Sequence, residues 1–355
     1  MDTEKRMELI KQVGEEIVTE EELKTLLETN SKPIAYDGFE PSGKIHIAQG
    51  ILRAINVNKM TKAGCKFNLL VADWHAWANN KLGGDLSKIQ QAGHYMEEVW
   101  SAAGMDMKNV KFLWASDFVK DENYWAKVMK VATISTLKRI IRTGQIMGRS
   151  ESDVQQASQI LYPCMQTADI FQMDIDIAQL GMDQRKVNVL CRELAPKLGY
   201  KKPVAVHHHM LLGLTQINSA AEGVDRVIEM KMSKSNPQSA IFMTDSSKEV
   251  EQKINKAYCP EKQIIDNPIL EYNKYIIFEK FKEVKIERPP KFGGNVSYSS
   301  YSELEADFSF GKLHPMDLKQ STAKNINELL EPVRKHFEKN AKAKKLLAEI
   351  DSFSK

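Results

Sequence analysis

The sequence predicts an α/β protein: a doubly wound parallel sheet carrying a helical insertion, followed by a small, mostly α-helical C-terminal domain. Short β-prone runs at 34–38, 67–73, 110–115 and 174–180 alternate with stretches of helical period, which calls for parallel strands joined by crossover helices. Between about 117 and 160 helical sequence interrupts the alternation. From Lys248 onward the helical pattern continues, broken by Pro260, Pro268, Pro289-Pro290 and Gly293-Gly294, and no strand returns. The expected division is an N-terminal helical segment 1–32, a Rossmann-like catalytic unit 33–240 with a loop over 222–238, and a helical domain 241–355. A chain of 355 residues has room for one large and one small domain.

In chain order, residues 4–30 read as one or two amphipathic helices with Leu9, Ile10, Val13, Ile17, Leu23, Leu26 and Leu27 inward. Ile34 to Gly38, set between Pro33 and Pro41-Ser42-Gly43, reads as a buried strand ending in a tight turn. From His46 to about Ala63, Ile47, Ile51 and Ile55 recur at helical spacing, and Gly64 closes the run. The start of that helix points unpaired N–H groups and the positive end of its dipole at the turn, which suits a polyphosphate. His46 and Gln49 lie in its first turn, on one face. Phe67 to Asp73 gives a second strand, ending at Asp73-Trp74-His75. After Gly83-Gly84, Asp85 or Ser87 caps a helix carrying Ile89, Tyr95, Met96, Val99 and Trp100 that stops at Gly104. Val110 to Ala115 is the third strand. Ligands of such sheets bind beyond the carboxyl ends of the strands, so Gly38–Glu40, Asp73–His75 and Ser116–Phe118 should meet at one crevice.

The insertion holds Lys127, Lys130, Lys138, Arg139, Arg142 and Arg149 with no acidic residue between 123 and 150. Such a run is a solvated helix face, a phosphate contact or a subunit interface. Pro163 places a helix start near Tyr162, running to about Gln172. Tyr162, Gln166 and Asp169 are spaced i, i+4, i+7, which stacks a hydroxyl, an amide and a carboxylate on one face. A polar column often faces water, but Ile160, Leu161, Ile170 and Phe171 mark this segment as buried, and a buried carboxylate demands a partner. Asp174 to Leu180 forms a further strand, followed by a helix to about Leu194 before Pro196. The consecutive His207, His208 and His209 cannot all face one metal from a strand, and no protein-bound metal is expected. Lys-rich 334–345 reads as a solvated helix.

The net charge of +3 is too small to make the whole chain a polyanion binder, so nucleic-acid contact must come from local clusters. Cys65, Cys164, Cys191 and Cys259 are scattered without a C-x-x-C pair, as in cytosolic proteins with reduced thiols. The acidic N-terminus lacks an apolar signal core, and the apolar runs are shorter than the roughly 18 residues that span a bilayer. A cytoplasmic protein without membrane contact is the expectation.

Residues 231–235 read Lys-Met-Ser-Lys-Ser, and that pentad downstream of His46-Ile-Ala-Gln49 resembles the class I aminoacyl-tRNA synthetases. The family writes its first motif His-Ile-Gly-His. Here an amide stands at the fourth position, still able to donate to a phosphate oxygen. The resemblance extends over nearly the whole chain through Tyr36-Asp-Gly-Phe-Glu-Pro-Ser-Gly-Lys-Ile-His46, Ala72-Asp-Trp-His75, Tyr162-Pro-Cys-Met-Gln-x-x-Asp169, Gly181-Met-Asp-Gln-Arg-Lys186, Lys291-Phe-Gly-Gly and His314-Pro-Met-Asp317. It is similar in these to the archaeal and eukaryotic tyrosyl-tRNA synthetase family.

That resemblance implies ATP, brought with Mg2+, L-tyrosine and tRNA(Tyr) as substrates, and a homodimer formed through the insertion. It puts Tyr36 and Asp169 at the substrate phenol, Tyr162, Gln166 and Gln184 at its α-amino group, and Ala72 and His75 in the same pocket. The nucleotide is expected along Gly38, Glu40, Gly43, His46, Gln49, Lys231, Met232, Ser233 and Lys234, with His46, Gln49, Lys231 and Lys234 acting on the phosphates. Arg185 falls where the family reads the acceptor stem, and Phe292, His314 and Asp317 fall where it contacts the anticodon. Rival readings are a tryptophanyl-tRNA synthetase, a synthetase-like RNA-binding protein without catalysis, and a small-molecule nucleotidyltransferase.

Overall fold

A computed structural model describes residues 1–148, 156–216, 221–232 and 236–353. Its main sheet comprises β1 (Gly14–Val18), β2 (Ile34–Phe39), β3 (Lys66–Val71), β4 (Val110–Trp114), β5 (Ile177–Gly181) and β6 (Val204–His208), in the order β1-β6-β5-β2-β3-β4. Strands β2 to β6 are mutually parallel. The chain enters at central β2, steps outward to β4, then crosses back to lay β5 on the other side of β2. Strand order therefore reverses between β2 and β5, and doubly wound sheets hold their ligands outside such a switch point. Apolar residues cover both faces: Ala35, Phe67, Leu69 and Val206 pack on one side, Leu70, Ala178 and Leu180 on the other.

The N-terminal segment departs from the expectation of helices alone. Between the helices Thr3–Lys11 and Glu20–Thr29 lies β1, paired antiparallel with β6. Its backbone satisfies an edge that a five-strand sheet would leave open. Part of the segment 1–32 is thus built into the main sheet.

The helix of the first motif begins with one wide turn, Ala48–Leu52, and continues as Arg53–Lys62. Gly50 is required there, because an added Cβ would lie 2.2 Å from the buried Met243 sulfur. The helix Ala157–Gln172 starts earlier than Pro163 predicted, and Pro163 sits inside it. Nearly every side chain from Tyr162 to Phe171 is buried, and that packing outweighs the missing N–H donor. Pro196 is likewise carried inside Arg185–Leu198, which ends at Gly199 with φ of +74°.

The C-terminal region is mostly helical, with the long helix Pro315–Lys339 at its centre, but it also contains a hairpin of β7 (Val284–Ile286) and β8 (Val296–Tyr298). Three-residue strands are too short to show alternation. Pro289-Pro290 and Gly293-Gly294, read as helix breaks, form the connection between them. The last helix, Ala341–Ser352, folds back against the catalytic unit, where Lys44 Nζ meets Asp351 Oδ1 at 2.6 Å.

Candidate active site

Where β2 and β5 lie side by side, a buried cluster of aromatic and polar side chains gathers around Asp169. Asp169, at 0% exposure, projects into it from the helix Ala157–Gln172, and Tyr36, at 1%, from β2. Tyr124 Oη donates to Asp169 Oδ1 at 2.9 Å. His75 Nε2 stands 3.0 Å from Asp169 Oδ2, at the distance of an ion pair but without the alignment of a hydrogen bond. Burial opposes a charge on His75, yet the Asp169 carboxylate against it raises its pKa above the ordinary imidazole value. Burial, reinforced by the Asp169 charge, pushes the Tyr36 hydroxyl well up, so it remains a protonated donor.

Further along the same helix, Tyr162 packs edge-on against His75 with ring centroids 5.0 Å apart. Burial and then the neighbouring Glu40 carboxylate keep its hydroxyl protonated. Gln166 Nε2 donates to Gln184 Oε1 at 3.2 Å, and Gln184 Nε2 to the Ile146 carbonyl at 3.1 Å. Gln166 Oε1 is buried without a hydrogen-bond partner. Ala72 is a buried backbone hinge between β3 and the helix Asp73–Ala78, its N–H bonded to the Phe39 carbonyl. The column expected of Tyr162, Gln166 and Asp169 is therefore an inward face, joined by Tyr36, His75 and Gln184. Tyr124 was missed: it lies on the apolar face of the insertion helix Glu122–Ile134 with Val128 and Val131, a pattern that signals packing.

The turn after β2 forms the other half of the crevice. A Cβ at Gly38 would crowd the Tyr36 hydroxyl at 3.1 Å, and Gly43 adopts φ of +101°. Glu40 accepts from Asn79 Nδ2 at 3.0 Å and so ties the turn to the end of the Asp73–Ala78 helix. His46 is buried at the helix start, where its carbonyl accepts from the N–H groups of Gln49 and Gly50. Gln49 Oε1 is buried and has no hydrogen-bond partner. The segment after the Lys-Met-Ser-Lys-Ser pentad runs alongside: Ile47 N–H donates to Ile241 O at 2.8 Å and Met243 N–H to Ile45 O at 3.0 Å. Lys231 Nζ pairs with Asp183 Oδ2 at 2.5 Å, just past the end of β5, and Met232 is buried. The segment that follows the second motif thus lies along the first. Ser233 and Lys234 lie outside the described residues, as does Arg149.

Arg185 is held by Glu16 of β1, with Nε 2.8 Å from Oε2. His314 caps the helix Pro315–Lys339, accepting from Met316 N–H, with Asp317 half-buried in the first turn. The Phe292 side chain lies outside the described residues. Each consecutive histidine has its own partners: His207 binds Glu16 and Asn188, His208 binds Arg53 and Gln179, and His209 lies between Glu15 and Glu271. Among the described residues no group of three or more His, Cys, Asp or Glu side chains is placed to hold a metal ion, and no helix is long and apolar enough to cross a membrane.

A doubly wound sheet with these motifs at its switch point defines a class I aminoacyl-tRNA synthetase fold, and the family model for class I tRNA synthetases of tryptophan and tyrosine matches residues 28–331. Tyrosine–tRNA ligase 1, cytoplasmic, of Arabidopsis thaliana is 52% identical over 99% of this chain and 89% of its own length. The tyrosine–tRNA ligase of Sulfurisphaera tokodaii is 45% identical over 99% of this chain and 97% of its own. The crystal structure of the tyrosyl-tRNA synthetase of Pyrococcus horikoshii complexed with L-tyrosine superposes with a TM-score of 0.91 at 41% identity, covering 98% of this chain and 100% of that one. The chain belongs to the tyrosine–tRNA ligases.

Proposed function

We propose that this enzyme activates L-tyrosine with ATP and transfers the tyrosyl group to the 3′ end of tRNA(Tyr). The buried carboxyl group of Asp169 carries this reading. A phenol can donate to Asp169 Oδ2, which is buried without a hydrogen bond, whereas phenylalanine would leave that oxygen unsatisfied. Discrimination of this amino acid from phenylalanine by its hydroxyl is a worked example in general accounts of specificity, so its size is not a prediction of this structure. An indole fits this reading worse, since its benzene edge carries no donor for Asp169 Oδ2.

The substrate α-amino group meets Tyr162, Gln166 and Gln184, with the free Gln166 Oε1 as acceptor. Its carboxylate is already ionised near neutral pH, so attack on the α-phosphate needs no general base. What the protein supplies is alignment and compensation of charge building on the phosphates. His46, Gln49, the helix start, Lys231 and Lys234 take that role, along a nucleotide path over Gly38, Glu40, Gly43, Met232 and Ser233. Magnesium enters as the counter-ion of ATP. Lys231 has first to leave Asp183 to meet the phosphates, and Arg185 to leave Glu16 to meet the acceptor stem. Phe292, His314 and Asp317 serve the anticodon from a C-terminal domain over 241–355, with catalysis in 33–240 and residues 1–32 completing the sheet. Exposed Met129, Ile134 and Leu137 on the insertion support a homodimer across that face. A cytoplasmic location agrees with the four free thiols.

Pyrophosphate exchange dependent on tyrosine, with tryptophan and phenylalanine as controls, tests the reading. Exchange with tyrosine alone is expected; exchange with tryptophan alone would overturn it.

A further inference from the structure

The insertion helix Glu122–Ile134 brings the hydroxyl of a fully buried side chain, Tyr124, to Asp169. Its hydroxyl donates to Asp169 Oδ1 at 2.9 Å, across 45 residues of sequence. The ring is wedged between Phe118 and Trp125, with centroids 6.1 Å and 5.6 Å away, so it cannot turn aside. Burial, with the Asp169 charge added, holds the hydroxyl protonated, so Tyr124 can only donate here. The other carboxylate oxygen, Oδ2, is buried and lacks a hydrogen bond although His75 Nε2 is 3.0 Å away.

We propose that Tyr124 is a specificity-determining positioning residue: by occupying Oδ1 it fixes the Asp169 carboxylate plane and presents Oδ2 to the hydroxyl of the bound amino acid. The inference rests on the proposed recognition of tyrosine. Its physical basis is the geometry of a carboxylate, whose χ2 rotation is soft and whose oxygens are interchangeable until one is claimed. A donor fixed in a dry site claims one, and the charge-assisted bond it makes is among the stronger neutral-to-ion contacts. Without it the carboxylate can swing toward His75, which already faces Oδ2. The pocket would then accept a hydroxyl-free side chain at lower relative cost, because Asp169 would have an alternative partner.

Tyr124→Phe is the test, since it removes one oxygen and keeps the packed ring. Pyrophosphate exchange on wild type and variant should show KM for tyrosine raised about tenfold, as expected for a lost hydrogen bond to a charged group. KM for ATP should stay within about twofold, and the tyrosine-to-phenylalanine ratio of kcat/KM should narrow. Equilibrium binding of tyrosine without ATP gives the same comparison on any folded preparation, and thermal unfolding reports whether the variant is folded. Unchanged tyrosine KM and unchanged discrimination, with a wild type that exchanges on tyrosine, would overturn the role of Tyr124 alone. Parallel loss of ATP and tyrosine handling would also overturn it, by showing general damage. A wild type inactive on tyrosine would instead bring down the reading on which the inference rests.

Discussion

Lys44 Nζ lies 2.6 Å from Asp351 Oδ1, so the last helix of the chain clasps the turn that follows β2. Lys44 stands next to Gly43 and two residues before His46, on the rim where the ATP phosphates are proposed to lie. Both partners are partly exposed, so the pair contributes little to stability. Its consequence is electrostatic: a cation beside a polyphosphate site is held partly neutralised. Asp351→Asn should lower KM for ATP by up to a few-fold, and Lys44→Ala should raise it. Both effects should shrink as ionic strength rises toward 1 M, where the screening length falls to about 3 Å. Kinetics at two salt concentrations decide the matter, and a salt-independent change would argue against the electrostatic account.

His209 joins three parts of the molecule. Its Nδ1 is 3.2 Å from Glu15 of β1, its Nε2 is 3.1 Å from Glu271 of the C-terminal region, and its ring stacks on Tyr275 at 4.3 Å, with Lys274 near Glu15. Burial opposes its charge, but the two carboxylates prevail and raise it from 6.5 to about 9. A histidine pKa raised on folding stabilises fully below the unfolded value and loses that contribution as pH rises through the folded one. His209→Gln should therefore cost at most about 3 kcal/mol near neutrality. The gap to wild type should close as pH passes about 9, as followed by denaturant titration at several pH values.

Gly93 lies inside the helix Leu86–Ala102, where a Cβ would come within 2.5 Å of Trp114 Cη2 and 2.7 Å of Val71 Cγ1. Alanine is the better helix former by about 1 kcal/mol, so propensity alone predicts stabilisation. Overpacking against two rigid β-strand side chains outweighs it, and Gly93→Ala should lose about 1–3 kcal/mol in chemical denaturation.

The parts of this molecule that could be read in advance share one property: their signal is local. Tyr162, Gln166 and Asp169 fall on one helix face beside apolar neighbours, and the turn at Gly43 precedes a helix start, so spacing alone brought them forward. Tyr124 meets Asp169 only through tertiary packing, and a tyrosine between valines gives no sign of it. Strand β1 is hidden because Ile17 also continues a helical stripe, and what decides its conformation is the open edge of β6. Pro163 misled for the same reason, since burial of the surrounding helix overrode a local rule.

Arg53 is the plainest case of a charge whose place no periodicity reveals, and it carries the largest stability effect expected here. At 4% exposure its Nη1 lies 2.7 Å from Asp37 Oδ2, while Nη2 donates to His208 Nε2 at 2.7 Å. Burial pushes the Asp37 carboxyl up to about 7 even with the guanidinium beside it, so desolvation nearly matches the attraction. An intact pair of this kind contributes little, but a broken one leaves a bare charge under the nucleotide turn. Arg53→Met should cost about 3–5 kcal/mol, and adding Asp37→Asn should recover most of the loss. The sign with pH follows from the raised carboxyl: the deficit of Arg53→Met is worst above about 7 and eases as acid protonates Asp37. A double-mutant cycle by urea denaturation at two pH values measures both, and simple additivity of the two substitutions would contradict the coupling.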